Sequence, residues 1–253
     1  MNRFSATVLS LAGLLALACM APPPAPRIAT GPIPDASRQL LVVTTTSWSE
    51  TDGTLRRFER DGAGAWHAVG TPVTVVVGRA GLGWGRGLHP AQASGPQKRE
   101  GDGRAPAGVF RLTEAFGYAP ADSMATGLPY VQSDRDLECV DDVGSAFYNR
   151  VLDRGSVAVD WDSHEEMRRG DVLYRRGVVV AHNADRPQPG GGSCIFLHVW
   201  RGPGSTTSGC TAMPEDRLAE AMAWLDQTAD PVLVQLPAAE YRRLRRTWAL
   251  PSL

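Results

Sequence analysis

The sequence has no surplus of either charge: 26 Lys and Arg stand against 27 Asp and Glu in 253 residues. Proteins that grip nucleic acid through its phosphates normally carry a basic excess, so nucleic acid is not an expected partner. No internal repeat is present, which excludes solenoid and propeller arrays. No apolar run is long enough to span a bilayer comfortably. Cysteine is scarce, at 4 residues, and the chain contains neither a close Cys-x-x-Cys pair nor a His-x-x-x-His pair. Cys194, His198, Cys210 and His182 could be written as zinc ligands, but without those spacings no metal or other cofactor is expected. What the chain has instead is glycine (27), proline (19), modest aromatic content (7%) and Val/Thr runs. That mixture reads as a mainly β, loop-rich domain, and the length allows one sizeable core.

The first residues do not belong to that core. Arg3 gives a positive start, residues 8–17 are a short apolar stretch, and Ala16-Leu17-Ala18 then meets Cys19. This pattern suits a secretory signal over residues 1–18. Leu15-Ala16-Leu17-Ala18-Cys19 also resembles a lipobox, with Ala16 where Leu is usual, making Cys19 a lipidation candidate and a membrane a candidate partner. Residues 19–37 form a Pro-rich tether, with Ala21-Pro22-Pro23-Pro24-Ala25-Pro26 stiff and extended. Export places the chain in the periplasm or cell envelope. If Cys19 is removed or lipidated, Cys139, Cys194 and Cys210 remain. Three cysteines cannot all pair within one chain, so at least one is free or bonded to a partner.

Strands are expected over residues 39–46, 54–60, 65–69, 73–77, 109–112, 177–182, 194–200 and 232–236. The segments at 54–60 and 65–69 read as a hairpin, and 79–104 as a long loop. Residues 114–170 read as short helices and loops, an insertion or cap on the main fold. Pro214, Glu215 and Asp216 open a helix whose apolar face carries Leu218, Ala221, Met222 and Leu225. Residues 237–253 hold a basic terminal helix, with Arg242, Arg243, Arg245 and Arg246 on its solvated side.

Chemistry concentrates between residues 193 and 213. His198 stands at the end of an apolar strand, and Cys210 follows Thr207-Ser208-Gly209 on a small-residue loop. A thiolate is the reactive form of cysteine, and a neighbouring imidazole or dipole is needed to lower the thiol pKa. Gly209 lets the backbone bend so that adjacent N–H groups can converge on an oxyanion, a site shaped by Thr207, Ser208, Gly209 and Thr211. A thiol and an imidazole are the minimum for acyl transfer through a thioester.

This segment resembles the L,D-transpeptidase catalytic domain family (YkuD-like). That family places a His at a strand end and, about a dozen residues on, a Ser/Thr-His-Gly-Cys-x-Arg-Met/Leu motif. His198, Thr207, Gly209, Cys210 and Met213 match, and Arg104-Ala105-Pro106-Ala107-Gly108-Val109-Phe110 is similar to the family's Thr-Pro-x-Gly-x-Phe strand. Ser208 replaces the second His and Ala212 the Arg. The resemblance covers roughly residues 38–236 and implies a β-sandwich or barrel with a few peripheral helices. It also implies that Cys210 attacks a peptidoglycan stem peptide ahead of its terminal D-residue, with His198 as base. An amine acceptor gives a cross-link and water gives L,D-carboxypeptidase or other amide hydrolysis; a catalytically altered wall-binding lipoprotein is the non-enzymatic alternative. Asn183, Trp200 and Ala212 are candidate substrate-binding positions, Asp141 and Asp142 are candidates for a stem amine, and Cys139 with Cys194 is a candidate disulfide. His89 and His164 have no assigned role.

Overall fold

The computed structural model describes Met1 and residues 31–253. The signal segment, Cys19 and the tether up to residue 30 lie outside the described residues. The chain opens with β1 (Gln39–Thr45), β2 (Asp52–Arg60), β3 (Trp66–Val76), β4 (Leu82–Trp84) and β5 (Ala105–Gly117). The short strands β6 (Tyr130–Gln132), β7 (Leu137–Val140), β8 (Val151–Asp153) and β9 (His164–Glu166) follow. It ends with β10 (Arg176–Val180), β11 (Phe196–Val199), β12 (Thr211–Met213), α1 (Glu215–Trp224), β13 (Val232–Pro237) and α2 (Ala238–Leu244).

The main sheet runs β10-β11-β12-β3-β2-β1-β13-β5, and β10 pairs again with β5, so the sheet closes on itself. The fold is mainly β, a closed barrel or sandwich. Its centre is the parallel pair β1 and β13, with Leu41 opposite Leu233 and Val42 opposite Val234. Both strands are near-continuous apolar runs, as strands buried on both faces require. α2 covers them with Tyr241 and Leu244, and α1 buries Leu218, Ala221 and Met222 beside β10 and β11. One polar residue in β13 is kept because it is fully bonded: buried Gln235 accepts from Thr211 Oγ1 at 2.7 Å and donates to the Pro106 carbonyl at 2.9 Å.

Several elements differ from the sequence reading. The stretches at 65–69 and 73–77 are one bent strand, β3, whose register against β2 shifts between Leu55 and Arg57. The loop over 79–104 contains β4, paired in parallel with β5. β5 runs on to Gly117, far beyond residue 112, because both β10 and β6 pair with its second half. α2 stops at Leu244, and turns follow up to the buried Trp248.

The largest correction concerns residues 114–170. Instead of short helices they build a second, three-stranded antiparallel sheet in the order β8-β7-β9, with only two single 3-10 turns. β7 is wholly buried, and its Glu138 carboxylate is satisfied by Trp161 Nε1 at 2.9 Å, Arg154 at 3.0 Å and His164 at 3.3 Å. Two clasps fix this small sheet to the barrel. Cys139 of β7 is disulfide-bonded to Cys194, just ahead of β11. Asn149 donates to the carbonyls of His182 and Asn183 and accepts from the Cys194 N–H at 3.0 Å.

The glycine of the upstream motif has a steric cause. Gly108 in β5 has φ 140°, and a Cβ there would lie 1.9 Å from Cε1 of His89. The His89 ring packs against Phe110, Trp84 and Trp248 and accepts a hydrogen bond from the Val109 N–H at 3.1 Å, so it cannot step aside. Gly108→Ala is expected to cost about 3 kcal/mol in a urea melt, the upper end of ordinary overpacking. Gly62→Ala, where a Cβ meets nothing within 4 Å, should stay within about 0.5 kcal/mol. Equal midpoints for the two variants would show that the His89 contact carries no weight.

Candidate active site

β11 and β12 are parallel neighbours, with Leu197 opposite Thr211, His198 opposite Ala212 and Val199 opposite Met213. Cys210 sits directly before β12 and so lies beside the strand that carries His198. It is the free cysteine among the described residues. Its sulfur receives the Phe196 N–H at 3.3 Å and lies 3.5 Å from the Cys194 carbonyl oxygen.

The orientation of His198 comes from its own strand. Nδ1 lies 2.8 Å from the Val199 carbonyl. A carbonyl only accepts, so Nδ1 carries the proton of the neutral ring and Nε2 keeps its lone pair. Tyr174 holds the ring edge-to-face at 5.4 Å. The Tyr174 hydroxyl donates to Glu165, and the Arg169 guanidinium stands 5.1 Å over the Tyr174 ring.

A cavity of about 510 Å³ opens onto Cys210 and His198. One wall is the loop from Trp200 to Cys210, and the other comes from the small sheet and the segment after it, through Asp141, Glu165, Arg169 and Tyr174. Lys98 and Glu100 complete it. Lys98, the sole lysine of the chain, is bound to Asp102 at 2.7 Å. Glu100 accepts from Tyr148 and from Ser193 Oγ, at 2.6 Å for the serine.

Burial dominates the electrostatics. It pushes the Cys210 thiol well above its ordinary pKa, and the nearby Glu165 carboxylate adds to the shift. Burial lowers His198 to about 4, against the opposing hydrogen bond to Val199. At neutral pH the free site therefore holds a thiol and a neutral imidazole. Desolvation penalises the charged form of each group.

The Cys210 loop is pinned from inside. Thr207 Oγ1 donates to the Cys210 carbonyl at 2.7 Å and accepts the Gly209 N–H at 3.2 Å. Gly209 does not adopt a left-handed φ; a Cβ there would lie 3.1 Å from the Arg104 carbonyl oxygen, a tight contact. Thr207, Ser208, Gly209, Trp200 and Ala212 all line the cavity. Thr211 does not, because its hydroxyl is engaged by Gln235. Asn183 is also elsewhere: its side chain bonds the backbone of Gln188 and Gly192, and it borders a separate groove of about 120 Å³. Asp141 reaches the cavity, whereas Asp142 accepts from the Gly144 and Asp162 N–H groups and shapes its own loop. Nor can the zinc set form. Cys194 is in a disulfide, and both His182 nitrogens face backbone, the Arg86 N–H at 3.2 Å and the Gly191 carbonyl at 3.0 Å. Sequence reasoning missed Lys98, Glu100, Glu165, Arg169 and Tyr174. They come from loops and the small sheet, where no periodicity or motif marks them.

The model of the family described as the L,D-transpeptidase catalytic domain (YkuD) matches residues 46–234. The chain belongs to this family. No curated protein and no solved structure matches the chain. The family acts on the peptide stems of peptidoglycan, and the matched span contains the whole cavity described above.

The neutral resting pair has a measurable signature. Because the thiol pKa is raised, the thiolate fraction at pH 7 is small and grows about tenfold per pH unit. Alkylation of Cys210 by iodoacetamide, followed by peptide mass mapping from pH 5 to 10, should rise steadily with no plateau below pH 9. A plateau beginning near pH 6 would mean a preformed thiolate–imidazolium pair.

Proposed function

We propose that the protein is a cysteine acyltransferase of peptidoglycan stem peptides, working through a thioester on Cys210. The observation that carries this reading is the pairing of a free thiol with an imidazole whose Nε2 is unengaged, on adjacent parallel strands facing one cavity. In the first half-reaction the Cys210 sulfur forms a bond to the carbonyl carbon that precedes the terminal D-residue. Its proton moves to His198 Nε2. The C–N bond then breaks, and the same proton leaves on the amine of the departing amino acid. In the second half an acceptor gives a proton to His198, attacks the thioester and returns the sulfur to its thiol.

A neutral pair suits this sequence, since the proton moves only as the carbonyl is attacked and no buried charge is stored beforehand. The backbone N–H of Cys210, which has no hydrogen-bond partner among the described residues, is the proposed oxyanion donor. We also infer export to the periplasm or cell envelope, with Cys19 as a lipid anchor. The Cys139–Cys194 disulfide supports an oxidising compartment.

The test is incubation of the purified protein with tetrapeptide muropeptides, followed by mass spectrometry. Dimers mean an amine acceptor, and loss of the terminal residue alone means water. Cys210→Ala should lower either product about 10³-fold or more, and His198→Asn about 10²-fold or more. Product formation that survives Cys210→Ala, or no product from a folded protein that still binds muropeptides, would overturn the reading.

A further inference from the structure

A donor cleaved ahead of its last residue carries a free carboxylate only three bonds beyond the carbonyl that is attacked. The group that receives this carboxylate must therefore sit in the Cys210 cavity, within a few ångströms of the reacting atoms. Position 212 supplies nothing, since Ala212 offers only a methyl opposite His198. Four cations line the cavity: Arg79, Lys98, Arg169 and Arg201. Lys98 is committed to Asp102 and to the Arg99 carbonyl. Arg201 is exposed, with no hydrogen bond or ion pair fixing its side chain among the described residues. Arg79 makes a single long contact, 3.5 Å, to the Gly101 carbonyl.

Arg169 is different. Its Nε and Nη2 pair with the two oxygens of Asp171, each at 3.0 Å. Its plane stands over Tyr174, whose ring touches His198. The clamp uses one edge of the guanidinium and leaves Nη1 unengaged. A fork held in this way loses little freedom when it takes a second carboxylate. Its charge is also felt at both Cys210 and His198.

We propose that Arg169 is the residue that binds the terminal carboxylate of the donor stem, so that this enzyme prefers a stem ending in a free carboxylate. The guanidinium that β12 does not carry is delivered from the segment following the small sheet, with Asp171 and Tyr174 as positioning residues. This proposal rests on the acyl-transfer reading given above.

The experiment uses two synthetic tetrapeptide donors that differ only at the last group, carboxylate against carboxamide. Release of the terminal residue is measured as kcat/KM with the full chain. Wild type should favour the carboxylate about ten- to a hundredfold, the range of a charge-assisted pair. Arg169→Met should bring that ratio close to one, with the carboxylate donor losing about ten- to a hundredfold more than the carboxamide donor, and Arg169→Lys should restore part of the preference through KM. The carboxamide donor serves as the control for folding and chemistry. An unchanged ratio in Arg169→Met would overturn the proposal, and loss of the ratio in Arg201→Met instead would reassign the role. Equal loss on both donors would overturn it in favour of a structural or thiol-directed role. A folded wild type that processes neither donor would overturn the acyl-transfer reading, and the proposal with it.

Discussion

The site depends on one pairing, that of β11 with β12. Two adjacent parallel strands cannot be joined by a tight hairpin; the chain must leave the end of one and return to the start of the next. Here residues 200–210 make that return without a helix, as a loop of Gly, Pro, Ser and Thr, and this loop becomes a wall of the cavity. The same register that sets His198 against Ala212 puts Cys210 at the entry to β12. β12 is only three residues long and meets β3 through a single residue pair, and Cys210 at its entry is buried but lines the cavity. The Thr211–Gln235–Pro106 hydrogen bonds then tie this short strand to the barrel centre.

The small sheet supplies what the barrel lacks. Its clasp, Cys139–Cys194 together with Asn149, grips the segment immediately before β11, so the wall opposite the loop cannot drift from His198. Cys139, Tyr174, Cys194, Phe196 and Cys210 share one apolar cluster. That shared burial explains why the thiol and the imidazole both rest uncharged. A site packed against apolar side chains from two sheets solvates an ion pair poorly, and a charge of the same sign beside each ion, Glu165 for the thiolate and Arg169 for the imidazolium, opposes its formation further.

Much of the barrel could be read from sequence because its central strands are buried on both faces. β1 and β13 are apolar runs bounded by breakers, and the Gly-containing turn at 61–64 marks the hairpin of 54–60 with 65–69. The Cys210 motif was legible because its residues are contiguous. Illegibility followed from length and distance. β12 has three residues and no period, and β7 to β9 have three or four each, so their strand character exists only through partners far along the chain. At the end of a strand and ahead of a glycine turn, Asn183 could be a turn residue or a site amide; its φ of 52° and its three backbone contacts make it a loop scaffold. Arg169 and Glu165 carried no signal, as charges in a polar stretch become cavity walls only through partners far along the chain.

The two departures from the family motif gain a physical sense from this division. Ser208 and Ala212 are small, and both line the cavity, so they widen it on the barrel side. Of the charged groups that line the cavity, Asp141, Glu165 and Arg169 enter from the small sheet and the segment after it. In the proposed reaction, chemistry thus rests on strands built into the barrel, whereas recognition rests on a separate sheet joined to it by the Cys139–Cys194 disulfide, the Asn149 hydrogen bonds and a shared apolar cluster. In such an arrangement the reacting pair tolerates change in its surroundings as long as β11 and β12 stay in register. On the proposed reading, donor preference follows instead the residues between β7 and β10, where the next difference in substrate would be written.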